Sequence, residues 1–136
     1  MRSEVRKLPQ LFLDRLKRLV PSQKFDQAAN TFSEAKPVTF RTNSLKSSPA
    51  KIREALEQKG FRLQSVPWYP EAFLLRSGRQ RDLEQTEAYR NGEIYVQSLS
   101  SMIPPLALGP KPGETVLDLA AAPGSKTTQI ACLMKG

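Results

Sequence analysis

The stretch Val116-Leu117-Asp118-Leu119-Ala120-Ala121-Ala122-Pro123-Gly124-Ser125-Lys126-Thr127-Thr128 passes through three kinds of sequence in succession. Thr115–Leu119 has the apolar character of a strand covered on both faces. Small residues fill the turn from Ala120 to Ser125, and Lys126–Met134 suits a helix. Strand, small-residue turn and helix make the first βα unit of a doubly wound α/β domain, where ligands bind outside the C-terminal ends of the strands. Small side chains let the backbone approach a ligand, and a helix N-terminus offers free N–H groups to a carboxylate or phosphate. The alternative is a tight structural turn, with Lys126 an ordinary solvated helix residue.

Three ligand classes use this geometry. A triphosphate loop needs Gly-x-x-x-x-Gly-Lys-Ser/Thr, but Ser125 separates Gly124 from Lys126, and Leu119 stands where the leading glycine belongs. A dinucleotide fold needs Gly-x-Gly-x-x-Gly, and Ala120–Ser125 contains one glycine. S-adenosylmethionine needs a close turn under its methionine part and an acid near the strand end, a place Asp118 fills.

Upstream, Leu8, Leu11, Phe12, Leu16, Leu19 and Val20 recur at helical spacing, which predicts an amphipathic helix over 8–20. Pro21-Ser22 ends it and starts a second helix reaching Phe32. Val38-Thr39-Phe40-Arg41-Thr42 alternates as a half-buried strand does. Ser48-Pro49 starts a helix with a capping serine and a proline in the first turn, and Gly60 closes it as a left-handed cap. Phe61–Val66 and Phe73–Leu75 read as strands on either side of a Pro67-Trp68-Tyr69-Pro70 turn. A helix is predicted over Leu83–Tyr89, a strand or extended lead-in over Glu93–Gln97, and a helix carrying Leu99, Met102, Ile103 and Leu106 that Pro104-Pro105 should kink or restart. The predicted organisation is a helical piece over 1–36, a small α+β module over 37–92, and the start of an α/β domain over 93–136.

The formal charge is +8, and residues 1–90, with 18 of the 21 Lys and Arg and 10 of the 13 Asp and Glu, carry all of the excess. A phosphate-facing module and a solvated basic surface both fit that balance. A single cysteine, Cys132, excludes an internal disulfide and any multi-cysteine metal site. The absence of histidine removes Ser-His and Cys-His nucleophile arrangements. Neither metal nor membrane partners are expected, since no apolar run approaches the roughly 20 residues of a span. Met1–Lys7 is basic, but no signal core follows it. The expected location is cytoplasmic.

Leu117–Thr127 resembles the first cofactor motif of the RsmB/RsmF-type (Sun family) RNA cytosine-5 methyltransferases. Arg41-Thr42-Asn43-Ser44-Leu45-Lys46, Gly92–Ser98 and Ser100–Pro104 resemble segments of the same family, in the same order. Ala120 is one of the family's usual residues there, Cys or Ala, and Ser125 departs mildly from its usual Gly. The resemblance implies an N-terminal portion of such an enzyme, with a fold that is α/β and α+β in turn. A helical piece leads to an RNA-recognition-like α+β module, and a Rossmann-like methyltransferase domain begins after it and is cut short. Ala120, Ala121, Ala122, Pro123, Gly124, Ser125 and Lys126 would line the S-adenosyl-L-methionine pocket. The implied partner is RNA, either rRNA or tRNA. The family's catalytic cysteines lie downstream of the cofactor loop, so no catalytic residue is expected in this chain and Cys132 is expected to be a buried small hydrophobe. A non-catalytic RNA-binding fragment working through residues 1–90 is the alternative function. A nucleotide-binding ATPase with an aberrant loop is a weaker third.

Overall fold

The computed structural model describes residues 8–33 and 36–136; the basic stretch Met1–Lys7 lies outside them. The chain forms two compact units, Met1–Lys36 and Pro37–Gly136. In the first, α1 (Gln10–Leu19) leads through a short 3-10 turn at Ser22–Lys24 into α2 (Phe25–Ser33). Phe12 and Phe32 meet edge to face with ring centroids 4.9 Å apart, and the Lys17 ammonium sits over the Phe25 ring. Both helices fall where the apolar spacing predicts them.

The second unit is built on a four-stranded sheet in the order β2-β3-β1-β4. Its strands are β1 (Thr39–Thr42), β2 (Leu63–Val66), β3 (Tyr69–Leu75) and β4 (Ile94–Val96), and each neighbouring pair is antiparallel. Between β1 and β2 runs α3 (Pro49–Gln58), whose start is fixed by the Ser48 hydroxyl accepting from Lys51 N–H. Gly60, at φ +84°, takes the left-handed conformation after its last turn. The hairpin between β2 and β3 is tighter than the sequence suggests. Tyr69 already pairs with Val66, and Pro70 lies inside β3 rather than in the turn. The helix predicted over Leu83–Tyr89 is two short ones, α4 (Gln80–Glu84) and α5 (Glu87–Arg90), because the Thr86 side chain starts a new helix by accepting from Tyr89 N–H.

Strand alternation sends successive side chains to opposite faces, and both faces of this sheet are covered. On one face Phe40 and Phe73 pack with Ile52 and Leu56 of α3, Leu83 of α4 and Ala88 of α5. On the other, Val66, Tyr69 and Ala72 pack with Met102 of α6 (Leu99–Leu108). The same face receives α7 (Ser125–Met134) through Arg41. Through β4 the sheet extends past residue 92, so residues 37–92 and 93–136 share one hydrogen-bonded unit.

Pro104-Pro105 do not restart α6, and one predicted strand does not form, each for a physical reason. Helix α6 runs unbroken through Pro104 and Pro105. The N–H that Pro105 lacks would have bonded Ser101 C=O, and the Gln97 side-chain amide donates to that oxygen instead, at 3.0 Å. The strand predicted over Thr115–Leu119 does not form. A parallel strand needs neighbours on its edges, and none lies beside it among the described residues, so Leu117 and Leu119 stay 79% and 91% exposed.

The larger core carries the stability of this unit. Replacing Phe73, 2% exposed, by alanine is expected to cost about 3–5 kcal/mol, read as a lower urea midpoint at unchanged slope.

Candidate cofactor site

The loop from Ala120 to Ser125 leads straight into α7, with Gly124 as the residue before the helix. Gly124 has φ +101°, a conformation a side chain would strain, and a Cβ built there meets nothing within 4 Å. The turn is therefore set by backbone conformation and leaves open space above it. The Ala122–Pro123 peptide is cis. Asp118 shapes the loop from below. Its carboxylate accepts from Thr127 Oγ1 at 2.7 Å and from Ala120 N–H at 3.0 Å. These two bonds, the Thr127 hydroxyl first, hold the Asp118 carboxyl below its ordinary value.

The backbone N–H groups of Ala121, Ala122, Gly124, Ser125, Lys126 and Thr127 have no partner among the described residues, whereas Thr128 N–H bonds Gly124 C=O. A loop and helix start with unclaimed donors suit a negatively charged group. Lys126 stands exposed on the first turn of α7. Beside the loop lies a cavity of about 410 Å3 walled by Pro105 and Leu108 of α6, by Leu117 and Leu119, and by Ala120 and Lys126. Small-molecule sites have volumes of this order. The residues predicted from sequence thus share one turn, with Asp118 beneath them.

The loop is anchored by residues of two segments that carry the family resemblance, Arg41–Lys46 and Gly92–Ser98, in a role the sequence did not assign them. Arg41 is 1% exposed, and its guanidinium crosses from β1 to α7. Nε donates to Gln97 Oε1 at 2.9 Å; Nη2 donates to Thr128 Oγ1 at 2.8 Å and to Ser125 C=O at 3.4 Å. Nη1 points at Cys132 Sγ, 3.6 Å away, and the Tyr95 ring lies 5.3 Å from the guanidinium carbon. No carboxylate pairs with Arg41 among the described residues. Its charge is held by carbonyl, amide, hydroxyl and aromatic groups, which a buried cation requires in the absence of an anion.

The network continues in both directions. Thr128 Oγ1 donates to Gly124 C=O at 2.6 Å, carrying the Arg41 contact to the loop glycine. Gln97 Nε2 donates to Gln129 Oε1, and Gln129 Nε2 donates to Met102 C=O. Tyr95 donates from its hydroxyl to Pro123 C=O at 3.2 Å. Cys132 is buried, as expected, but polar in its contacts, since its thiol donates to Asn43 Oδ1 at 3.2 Å. The available signal was an arginine in the middle of an otherwise apolar and hydroxylic strand.

A four-stranded antiparallel sheet locked to a small-residue turn at the start of a helix defines the class: a small α+β module joined to the turn and helix with which a methyltransferase-type domain begins. Residues 8–99 match the N-terminal domain of the 16S rRNA methyltransferase RsmF, and residues 105–136 match the 16S rRNA methyltransferase RsmB/F family. The chain belongs to the RsmB/RsmF methyltransferase family. It is 39% identical to a tRNA (cytosine(49)-C(5))-methyltransferase of Pyrococcus abyssi over 98% of this chain and 42% of that protein. It is also 39% identical to the ribosomal RNA small subunit methyltransferase F of Vibrio atlanticus, over 93% of this chain and 28% of that one. A solved methyltransferase homologue from Pyrococcus horikoshii superposes with a TM-score of 0.76 at 38% identity, covering 94% of this chain and 46% of its own. The chain therefore spans less than half the length of these relatives.

Arg41→Met is expected to destabilise the second unit by about 2–4 kcal/mol, because Gln97, Thr128 and the Ser125 carbonyl lose a shared donor in a buried site. Arg41→Lys should recover little of it, since an ammonium cannot serve three directions from one plane; urea titration of both variants checks this.

Proposed function

We propose that this chain is the N-terminal portion of an RNA cytosine-5 methyltransferase acting on rRNA or tRNA in the cytoplasm. In this reading residues 37–98 help seat RNA, and Ala120–Lys126 hold the methionine end of S-adenosyl-L-methionine. The observation that carries the reading is the exposed turn at the start of α7, whose unclaimed N–H groups suit the ligand's carboxylate. S-adenosyl-L-methionine, when bound, supplies an electrophilic methyl group. The residues present contribute in three ways: loop amides bind, Asp118 fixes the turn, and Arg41 and Tyr95 hold the loop against the sheet. Cys132 faces Arg41 and Asn43, which leaves it outside the chemistry. In the family the thiolate that attacks the base comes from segments downstream of the cofactor loop, so the 136-residue chain alone is expected to transfer no methyl groups.

The alternative of an RNA-binding fragment without cofactor rests on the charge excess in residues 1–90. Adding S-adenosyl-L-methionine to the 15N-labelled chain should shift the amide signals of residues 121–127, while ATP leaves them in place. Gly124→Val, strained at φ +101°, should weaken binding at least about tenfold. Unmoved amides at millimolar cofactor would sink the cofactor site and leave the RNA-binding reading.

Binding should also be level from pH 8 down to 5. Asp118 is held below its ordinary 3.8, so its ionised form contributes throughout this range and is lost only as the pH falls through that lowered value. A decline in affinity already at pH 5–6 would contradict this role for Asp118.

A further inference from the structure

In the RNA-recognition fold the open face of the sheet stacks bases on aromatic side chains. Here that face is closed: the paired residues Arg41 and Ala72 meet α7 and α6. RNA must therefore engage this module elsewhere, and the molecule offers a groove along the outer edge of β4. The cavity holds about 430 Å3 and is lined by Gln80 and Glu84 of α4, Tyr89 of α5, Gly92, and residues 94–96 of β4, Tyr95 among them.

We infer that this groove accepts an unpaired RNA nucleotide beside the cofactor loop, taking a base with an exocyclic amino group. The inference rests on RNA being the substrate proposed above. Four observations support it. First, the edge is chemically open. Asn43 N–H bonds Glu93 C=O, and Gln97 N–H bonds Thr39 C=O. With Arg41 opposite Tyr95 in this register, the N–H and C=O groups of Ile94 and Val96 point away from β1. They have no partner among the described residues. Second, Tyr89 and Tyr95 supply rings against which any base can stack, and the Glu84 carboxylate suits an amino donor such as cytosine N4.

Third, a cation stands at the Gly92 end of the groove. Lys46 Nζ lies 3.1 Å from where a Gly92 Cβ would be. It donates once, to Asn91 C=O at 2.7 Å, and enters no ion pair among the described residues, which leaves ammonium donors for a phosphate. Fourth, Tyr95, which lines the groove, also donates from its hydroxyl to Pro123 C=O, so one side chain touches both the groove and the loop. An added peptide strand is the rival occupant of any open edge. At three residues, with only Ile94 and Val96 turned outward, β4 is too short to template one.

The test uses the full 136-residue chain and fluorescein-labelled single-stranded oligonucleotides of cytidine, adenosine and uridine, read by anisotropy. Cytidine and adenosine oligomers should bind about fivefold tighter than uridine, and Glu84→Ala should erase that preference. Tyr89→Ala, at a side chain already 37% exposed, should weaken all three about tenfold with unchanged circular dichroism. Lys46→Ala should lower the salt slope by about one. Ultraviolet cross-linking of cytidine oligomers to the unsubstituted chain should label Tyr89 or Tyr95, a readout that needs no variant. An unsubstituted chain that binds no RNA would overturn the RNA reading along with the groove. If RNA binds but the variants match the parent and no label reaches either tyrosine, the groove alone is overturned and the base is held elsewhere.

Discussion

The structure depends on one buried cation. Arg41 occupies the centre of β1, and its guanidinium reaches across the sheet face into the first turn of α7. Burying a charge without an anion is costly unless every donor finds an acceptor. Meeting that condition fixes the places of Gln97, Thr128 and the Ser125 carbonyl together. Gln97 then passes the constraint to Gln129 and to Ser101 C=O on α6. Two helices separated in sequence by a long extended segment are thereby brought to one face of the sheet. Apolar packing of Met102 against Val66, Tyr69 and Ala72 supplies bulk, while the polar network supplies register. An apolar contact tolerates sliding, but a planar donor with three directions does not.

That arrangement decides which face of the sheet is left open. With β2-β3-β1-β4 order and helices returning between strands, the topology matches the RNA-recognition pattern, yet the face left bare in that pattern instead carries α6 and α7. The module therefore presents its edge, its loops and the rings of Tyr89 and Tyr95. The Ala120–Ser125 turn is in consequence a shared product of two segments far apart in the chain: Gly124 is held through Thr128 by Arg41, and Pro123 by Tyr95.

Much of this was legible in the sequence where the signal is local. Ser48-Pro49 and Gly60 mark both ends of α3, and the run of small residues from Ala120 marks the turn that leads into α7, because backbone conformation and capping act over a few residues. The burial of Arg41 was not legible. Alternation correctly places it opposite Phe40, but nothing local says that the opposite face is covered, since the cover arrives from residues 99–134. That α6 continues through Pro104-Pro105 was not legible either, because the donor that replaces the missing N–H is a side chain, Gln97, ahead of the helix. Thr115–Leu119 has the composition of a strand, yet a ladder is a property of pairs, and composition cannot supply the second member. Thr86 broke a helix that apolar spacing alone joins up.

The makeup of the Arg41 joint sets how it responds to solvent. None of its hydrogen-bond partners is a carboxylate or an imidazole. Buried hydrogen bonds between a cation and fixed dipoles are shielded from dissolved ions far better than surface charges are. Ionic strength, which governs how a basic surface holds a polyanion, therefore has little purchase on the link between the sheet and the Ala120–Ser125 turn. The molecule has two kinds of electrostatics under one skin: an outer layer that ions can tune, and an inner clasp that is indifferent to them.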